Sequence, residues 1–160
     1  MAYYQKVMQP GEVLRYAGSL HWVVFVPSLA TFALGIAVGL SASTVAHAQA
    51  ENADSIDFAL KLIAAVLLLY GIIKFLGAAI RRSTTEIIIT DRRVLYKRGI
   101  ISRHTIEMNI SKIETVDVSQ TISGRLLGYG TVFVRGTGAG LEPLTRVAHP
   151  LLLRNAILAG

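Results

Sequence analysis

The stretch TEIIITDRRVLYKRGIISR, Thr85 to Arg103, decides the fold class of this chain. It begins just after a long apolar segment ends and passes at once into short β-rich runs. TTEIIIT, Thr84 to Thr90, is rich in β-branched side chains, and Asp91-Arg92-Arg93 has the composition of a tight turn. In the RVLYKRG that follows, Val94 and Tyr96 alternate with Arg93, Leu95 and Lys97. Gly99 is free to adopt the positive φ of a hairpin connection. The stretch therefore predicts a basic β-hairpin that starts where a hydrophobic segment stops.

Downstream, IISRHTIEMNI (Ile100 to Ile110), KIETVDVS (Lys112 to Ser119), TVFVRGTG (Thr131 to Gly138) and LEPLTRVA (Leu141 to Ala148) read as further strands. The last belongs at an edge or bulge, because Pro143 cannot donate to a ladder. In HPLLLRNAILAG, Pro150 stands where a helix starts, with an apolar stripe after it. Six short strands followed by one helix predict a small, partly open antiparallel barrel over residues 83–160. A piece of about eighty residues is enough for a small core.

Upstream, two segments are long and apolar enough to cross a bilayer: WVVFVPSLATFALGIAVGL, Trp22 to Leu40, and FALKLIAAVLLLYGIIKFLGAAI, Phe58 to Ile80. Lys61 and Lys74 lie toward the ends of the second, where their stems can snorkel. Pro27 should kink the first helix or sit near its beginning. The connector, about residues 43–57, carries Glu51, Asp54 and Asp57 and no Lys or Arg. Lys6 and Arg15 precede the first span, and Arg81 and Arg82 follow the second. The positive-inside rule then puts both termini in the cytoplasm and the acidic connector outside. AHAQA, Ala46 to Ala50, has the form of a signal-peptidase site, but its product would still carry a span. The chain divides accordingly into a lead-in (1–21), a transmembrane hairpin (22–80) and a cytoplasmic domain (83–160). It reads as an α+β protein of a cytoplasmic membrane.

Of 160 residues, 52% are hydrophobic and the net charge is +6. Residues 1–80 hold four Lys/Arg and four Asp/Glu, residues 81–160 twelve and six, so the whole excess lies in the second half. That asymmetry implies an anionic partner. Arg81, Arg82, Arg92, Arg93, Lys97, Arg98 and Arg103 fall within 23 residues and are the candidate contacts for lipid headgroups or another anionic partner. Thr31, Gly35, Gly39 and Ser43 recur every four residues and form a small-residue helix-packing face, either against the second span or between protomers.

The motifs resemble those of the bacterial pleckstrin-homology type 2 family of membrane-flanked proteins. The resemblance lies in TDRRVLYKRGIISR, in ISKIETVDVSQ, in GRLLGYGTV (Gly124 to Val132) and in the opening QPGEVLRYAGSLHW (Gln9 to Trp22). It covers nearly the whole chain and implies a PH-like barrel with a C-terminal helix. The PH barrel has seven strands, one more than the six read here, so another element or a neighbouring subunit is expected to complete it. Eukaryotic relatives of this fold often bind phosphoinositides through basic residues in their first hairpin loop, and Lys97-Arg98-Gly99 is superficially similar.

No set of residues reads as catalytic. Cysteine is absent, and His21, His47, His104 and His149 lack metal-ligand spacing. Glu114 and Asp117 differ by an odd number and so face opposite sides of one strand. GTGAG, Gly136 to Gly140, lacks the Lys-Ser/Thr of a phosphate loop and opens no helix. The expectation is a non-enzymatic scaffold without cofactor or metal, associating with itself or with a protein partner at the membrane surface. The alternative is an anionic-lipid sensor, with membrane lipids as partner. Nucleic acid is not expected, since the membrane already accounts for the cations and aromatics are few.

Overall fold

The computed structural model describes residues 8–46, 53–99, 104–138 and 140–159. The chain divides into two compact units: Val24–Ile80, and Met1–Val23 together with Arg81–Gly160.

The first unit is a helical hairpin. A 3₁₀ turn, Trp22–Phe25, leads into α1 (Val26–Ala46), and α2 spans Ala53–Thr84. Pro27 stands in the first turn of α1, where its missing N–H leaves no bond unmade. Both helices are long and apolar enough to cross a bilayer. At 32 residues, α2 is longer than such a crossing requires, at about 1.5 Å per residue against a core of about 30 Å. Both helices run on into the stretch read as the connector, of which residues 47–52 lie outside the described residues. Their large apolar side chains are mostly exposed, among them Leu34, Leu62 and Leu69. The contact between the helices uses small residues: a side chain at Gly35 would press on Leu68, one at Gly39 would touch Ala64, and one at Gly71 would press on Phe32. Phe25 stacks on Phe75 with ring centroids 5.0 Å apart.

The second unit is built from two antiparallel sheets. One has the order β1 (Leu14–Gly18), β2 (Glu86–Thr90), β3 (Arg93–Arg98), β4 (His104–Asn109). The other has the order β5 (Ile113–Ser119), β6 (Tyr129–Gly136), β7 (Leu144–Ala148). The short α3 (Ile122–Leu127) links β5 to β6, and α4 (Pro150–Leu158) follows β7. One core joins all three layers. Ile87, Ile89, Val94 and Tyr96 come from the first sheet, Val116, Val132, Val134, Leu144 and Val147 from the second, and Leu153 and Ile157 from α4. Alternation along β2 and β3 puts these residues on one face, as the sequence predicts. Ile88 and Leu95, on the opposite face, are buried as well.

One expectation is kept and one changes. Among the described residues the barrel is not closed, in line with the partly open one expected: the sheets remain separate between β4 and β5, which are joined through a 3₁₀ turn, Ile110–Lys112. Gly136 permits that corner, since a side chain there would collide with the carbonyl of Lys112. Near β1 and β7, among the described residues, the sheets are laced by a bridge between Leu20 and Val147, with His21 N donating to Arg146 O at 2.8 Å and Ala148 N to Ser19 O at 3.1 Å. The missing seventh strand comes from this chain. Residues 1–21 read as a lead-in, yet Leu14–Gly18 pairs with β2, Ala17 opposite Ile88 and Gly18 opposite Ile87. Residues on both sides of the helical hairpin thus build one sheet. The last strand, expected at an edge or bulge, begins after Pro143 and lies at the edge of its sheet, with a register shift opposite Gly130/Val132 and Arg146 at φ 55°.

Candidate functional site

The register of the first sheet sorts the expected cations into two groups. At one end lies the turn between β2 and β3. Thr90 closes it: its hydroxyl accepts from Arg93 N at 3.1 Å and donates toward Glu12 Oε1 at 2.7 Å. Asp91 accepts from Val13 N at 2.9 Å, and its own N–H donates to Val13 O at 3.1 Å. The QPGEV segment and the TDRR turn, two motifs far apart in sequence, are therefore clasped.

Arg93 sits at the centre of this clasp. Its Nε donates to Glu12 at 2.9 Å and its Nη1 to Glu107 at 2.7 Å. The Arg93 side chain is 12% exposed and that of Glu12 only 1%. The Arg93 guanidinium, with the Gln9 amide and the Thr90 hydroxyl, holds the Glu12 carboxyl down from 4.5 to about 2. Arg93 thus acts as a half-buried tie, and Glu12, which sequence reasoning did not single out, is its main partner. The signal was present as the acidic residue of QPGEV, a motif otherwise read only as a lead-in. An open polar cleft of about 720 Å³ borders the clasp, lined by Gln9, Glu12, Asp91, Arg92, Glu107 and Ser111 among others. Arg92 is exposed there, 3.8 Å from Asp91.

The other end of the sheet collects most of the remaining cations. Glu86, the first residue of β2, is paired with Lys97, and β3 ends at Arg98. Thr85, just before β2, donates through N–H and hydroxyl to Arg81 O at 3.1 and 2.8 Å. Arg81, Arg82, Lys97 and Arg98 therefore share the end at which the chain enters from α2. A strand of this length separates them from Arg92 by roughly 15 Å. Arg98 lies 3.6 Å from Glu142. Arg103 lies outside the described residues.

His21, the last residue before the 3₁₀ turn, also belongs to this end. It stacks on Tyr129 with ring centroids 5.4 Å apart, and its Nδ1 accepts from Val23 N at 3.2 Å. Burial, followed by the charges of His149 and Arg82, lowers its pKa. The GRLLGYG turn is held locally, as expected of a helical turn with glycine exits. Thr121 caps α3 by accepting from Gly124 N, Gly128 ends it at φ 78°, and Ser123 hydrogen-bonds the Tyr129 hydroxyl at 3.0 Å.

Of the small-residue face, Gly35 and Gly39 meet α2 of the same chain. Thr31 and Ser43 donate back to Pro27 O and Leu40 O within α1. Four strands lie at sheet edges: among the described residues β1 pairs only with β2, β4 only with β3, and β5 and β7 only with β6, the two sheets meeting at the Leu20–Val147 bridge. An open cleft of about 260 Å³ runs beside β4, lined by Ile106, Met108, Asn109, Lys112, Thr137 and Gly140 among others. Among the described residues no three His, Asp or Glu side chains gather as a metal site.

A family model described as Bacterial PH domain matches residues 23–159. No curated protein and no solved structure matches the chain. The matched span begins after β1, which the sheet pairing alone assigns to the unit.

Proposed function

The chain belongs to the bacterial PH domain family, and from that premise we propose that it is a non-enzymatic scaffold held by two spans at the inner face of the cytoplasmic membrane. Both termini lie in the cytoplasm in this reading, following the placement of Arg15, Arg81 and Arg82 and the cation-free connector. The exposed apolar faces of α1 and α2 support it, because lipid would cover side chains that the protein leaves bare. The observation that carries the scaffold role is the unpaired edge of β4 beside an open cleft. Such an edge presents backbone donors and acceptors to an extended segment of a partner or to a second copy. Tethering in a membrane raises the effective concentration of copies, so a weak edge contact suffices for assembly. With Gly35 and Gly39 engaged inside the hairpin, the sheet edge is the contact assigned to self-association.

The test is the mass of the gently extracted complex, with a photo-crosslinking side chain at the exposed Thr105 of β4. Masses above that of one 17.3 kDa chain, together with a crosslink at Thr105, are expected. A lone chain with no crosslink would remove the scaffold reading.

A second reading, anionic-lipid binding, is favoured by the convergence of Arg81, Arg82, Lys97 and Arg98 where α2 enters the sheet. It differs from the first-hairpin site of eukaryotic relatives, since the connection between β1 and β2 here is the helical hairpin itself. Each cation near an anionic leaflet contributes about 1 kcal/mol. Exchanging Lys97 and Arg98 for alanine in the full chain should therefore reduce co-purified phosphatidylglycerol, while Arg92→Ala should not. Equal lipid retention in both variants would exclude it.

A further inference from the structure

The face formed by α3 and the first turn of α4 has no part in the scaffold edge, although the inference drawn from it rests on the membrane-anchored reading. Ile122 and Leu126 stand four positions apart on α3 and are 89% and 86% exposed. Leu151 and Leu152, in the first turn of α4, are more than half exposed, at 54% and 56%. Clustered aliphatic exposure of this kind on a folded unit marks a surface that something covers. The two turns are neighbours: His149 N donates to Gly128 O at 2.9 Å, and Arg125, Leu151 and Leu152 line one open cavity of about 400 Å³.

Charge and position identify the occupant. No Asp or Glu occurs between Val118 and Leu141 or between Pro143 and Gly160, whereas Arg125, Arg146 and Arg154 do, all exposed. This rim is complementary to an anionic surface. The C-terminal end of α3 also abuts the point where the chain leaves the sheet unit for α1. There Tyr129 stacks on His21, whose ring lies 5.4 Å from that of Trp22. Arg82, at the return connection, is close enough for its charge to act on the same histidine. In an anchored chain both connections lie at the bilayer surface.

We propose that α3 and the first turn of α4 form a wedge that enters the headgroup layer of the anionic bilayer to which the chain is tethered. Ile122, Leu126 and Leu151 reach the acyl boundary, and Arg125 and Arg154 stay at the phosphates. The spans supply proximity, so a contact too small to recruit a soluble protein is sufficient to fix the orientation of this one.

The absence of cysteine makes the test direct, since single labels can be placed in the full chain. An environment-sensitive fluorophore is attached at Ile122→Cys or Leu126→Cys in protein reconstituted into phosphatidylcholine–phosphatidylglycerol vesicles. Arg92→Cys, at the end of the first sheet remote from the connections to the helices, is the aqueous reference, and Leu69→Cys, on the exposed apolar surface of α2, is the bilayer reference. Labels at 122 and 126 should be quenched by nitroxides high on the lipid chains and be several-fold less sensitive to aqueous iodide than the label at 92. Iodide sensitivity at 126 equal to that at 92, with lipid quenching retained at 69, overturns the wedge and leaves the anchor standing. Shielding from iodide without lipid quenching also overturns it and gives the face to a protein. Absence of lipid quenching at 69 overturns anchor and wedge together.

Discussion

Glu12 illustrates how much of this architecture depends on one carboxylate. A side chain 1% exposed can remain ionised only if its charge is matched, and Arg93 provides the match at 2.9 Å. Because folding lowers the Glu12 pKa from 4.5 to about 2, the stability it contributes is complete above pH 4.5 and is lost as pH falls from there through 2. Glu12→Gln should cost about 2 kcal/mol, since it removes the charge of the main partner of a half-buried guanidinium while Glu107 keeps its own bond to it. It should also flatten the pH dependence across that window, as read by amide exchange of β1 and β2 in detergent micelles. A paired Glu12→Leu, Arg93→Met exchange should recover much of the loss, because an apolar pair of similar volume avoids the desolvation of both charges. An unchanged pH slope in Glu12→Gln would show that another group carries the acid sensitivity. Sequence reading placed Arg93 among lipid-contact cations because composition reports charge and not its partner. The partner lies 81 positions away, and no local spacing encodes such a pair.

Among the elements, the hairpin of α1 and α2 was readable as two apolar runs, and strands β2 to β7 as alternating or β-branched runs between turn residues. What spacing alone left open was the use of the glycine face, since GxxxG lets a helix approach any neighbour. Within the chain, Gly35 lies under Leu67 and Leu68, whereas a side chain at Gly77 would meet nothing within 4 Å. Gly35→Val should therefore separate the helices and lower the melting temperature of the detergent-solubilised chain by several degrees, an effect of about 1–3 kcal/mol. Gly77→Val, on the same hairpin but facing open space, should change it little. Equal effects at the two positions would mean that helix propensity, and not packing, governs the response. β1 escaped the reading for a different reason. LRYAG alternates as a strand should, with Leu14, Tyr16 and Gly18 less exposed than Arg15 and Ala17. Five residues directly ahead of an apolar segment read equally well as its polar approach, and their pairing partner appears only after the whole hairpin.

At the scale of the molecule, the consequence is a sheet unit interrupted by a helical hairpin. β1 precedes both helices and β2 follows them, so the first sheet forms only when the hairpin brings the chain back to β1. The helices thereby close the loop between two strands in register, Gly18 beside Ile87. Residues 83–160 alone should then be a poor folding unit, because removing β1 leaves the outer edge of β2 unpaired and takes Tyr16 from the core and Glu12 from Arg93. The same residues fused behind 8–21 through a short Gly-Ser linker should fold, since neighbouring antiparallel strands need only a few residues to connect. Dispersed amide resonances and cooperative melting in the fusion, with aggregation or poor dispersion in the shorter piece, are the expected pair of results. If the shorter piece folds as well as the fusion, β1 is an accessory strand, and the clasp between Glu12 and Arg93 contributes to anchoring the lead-in instead of to forming the sheet.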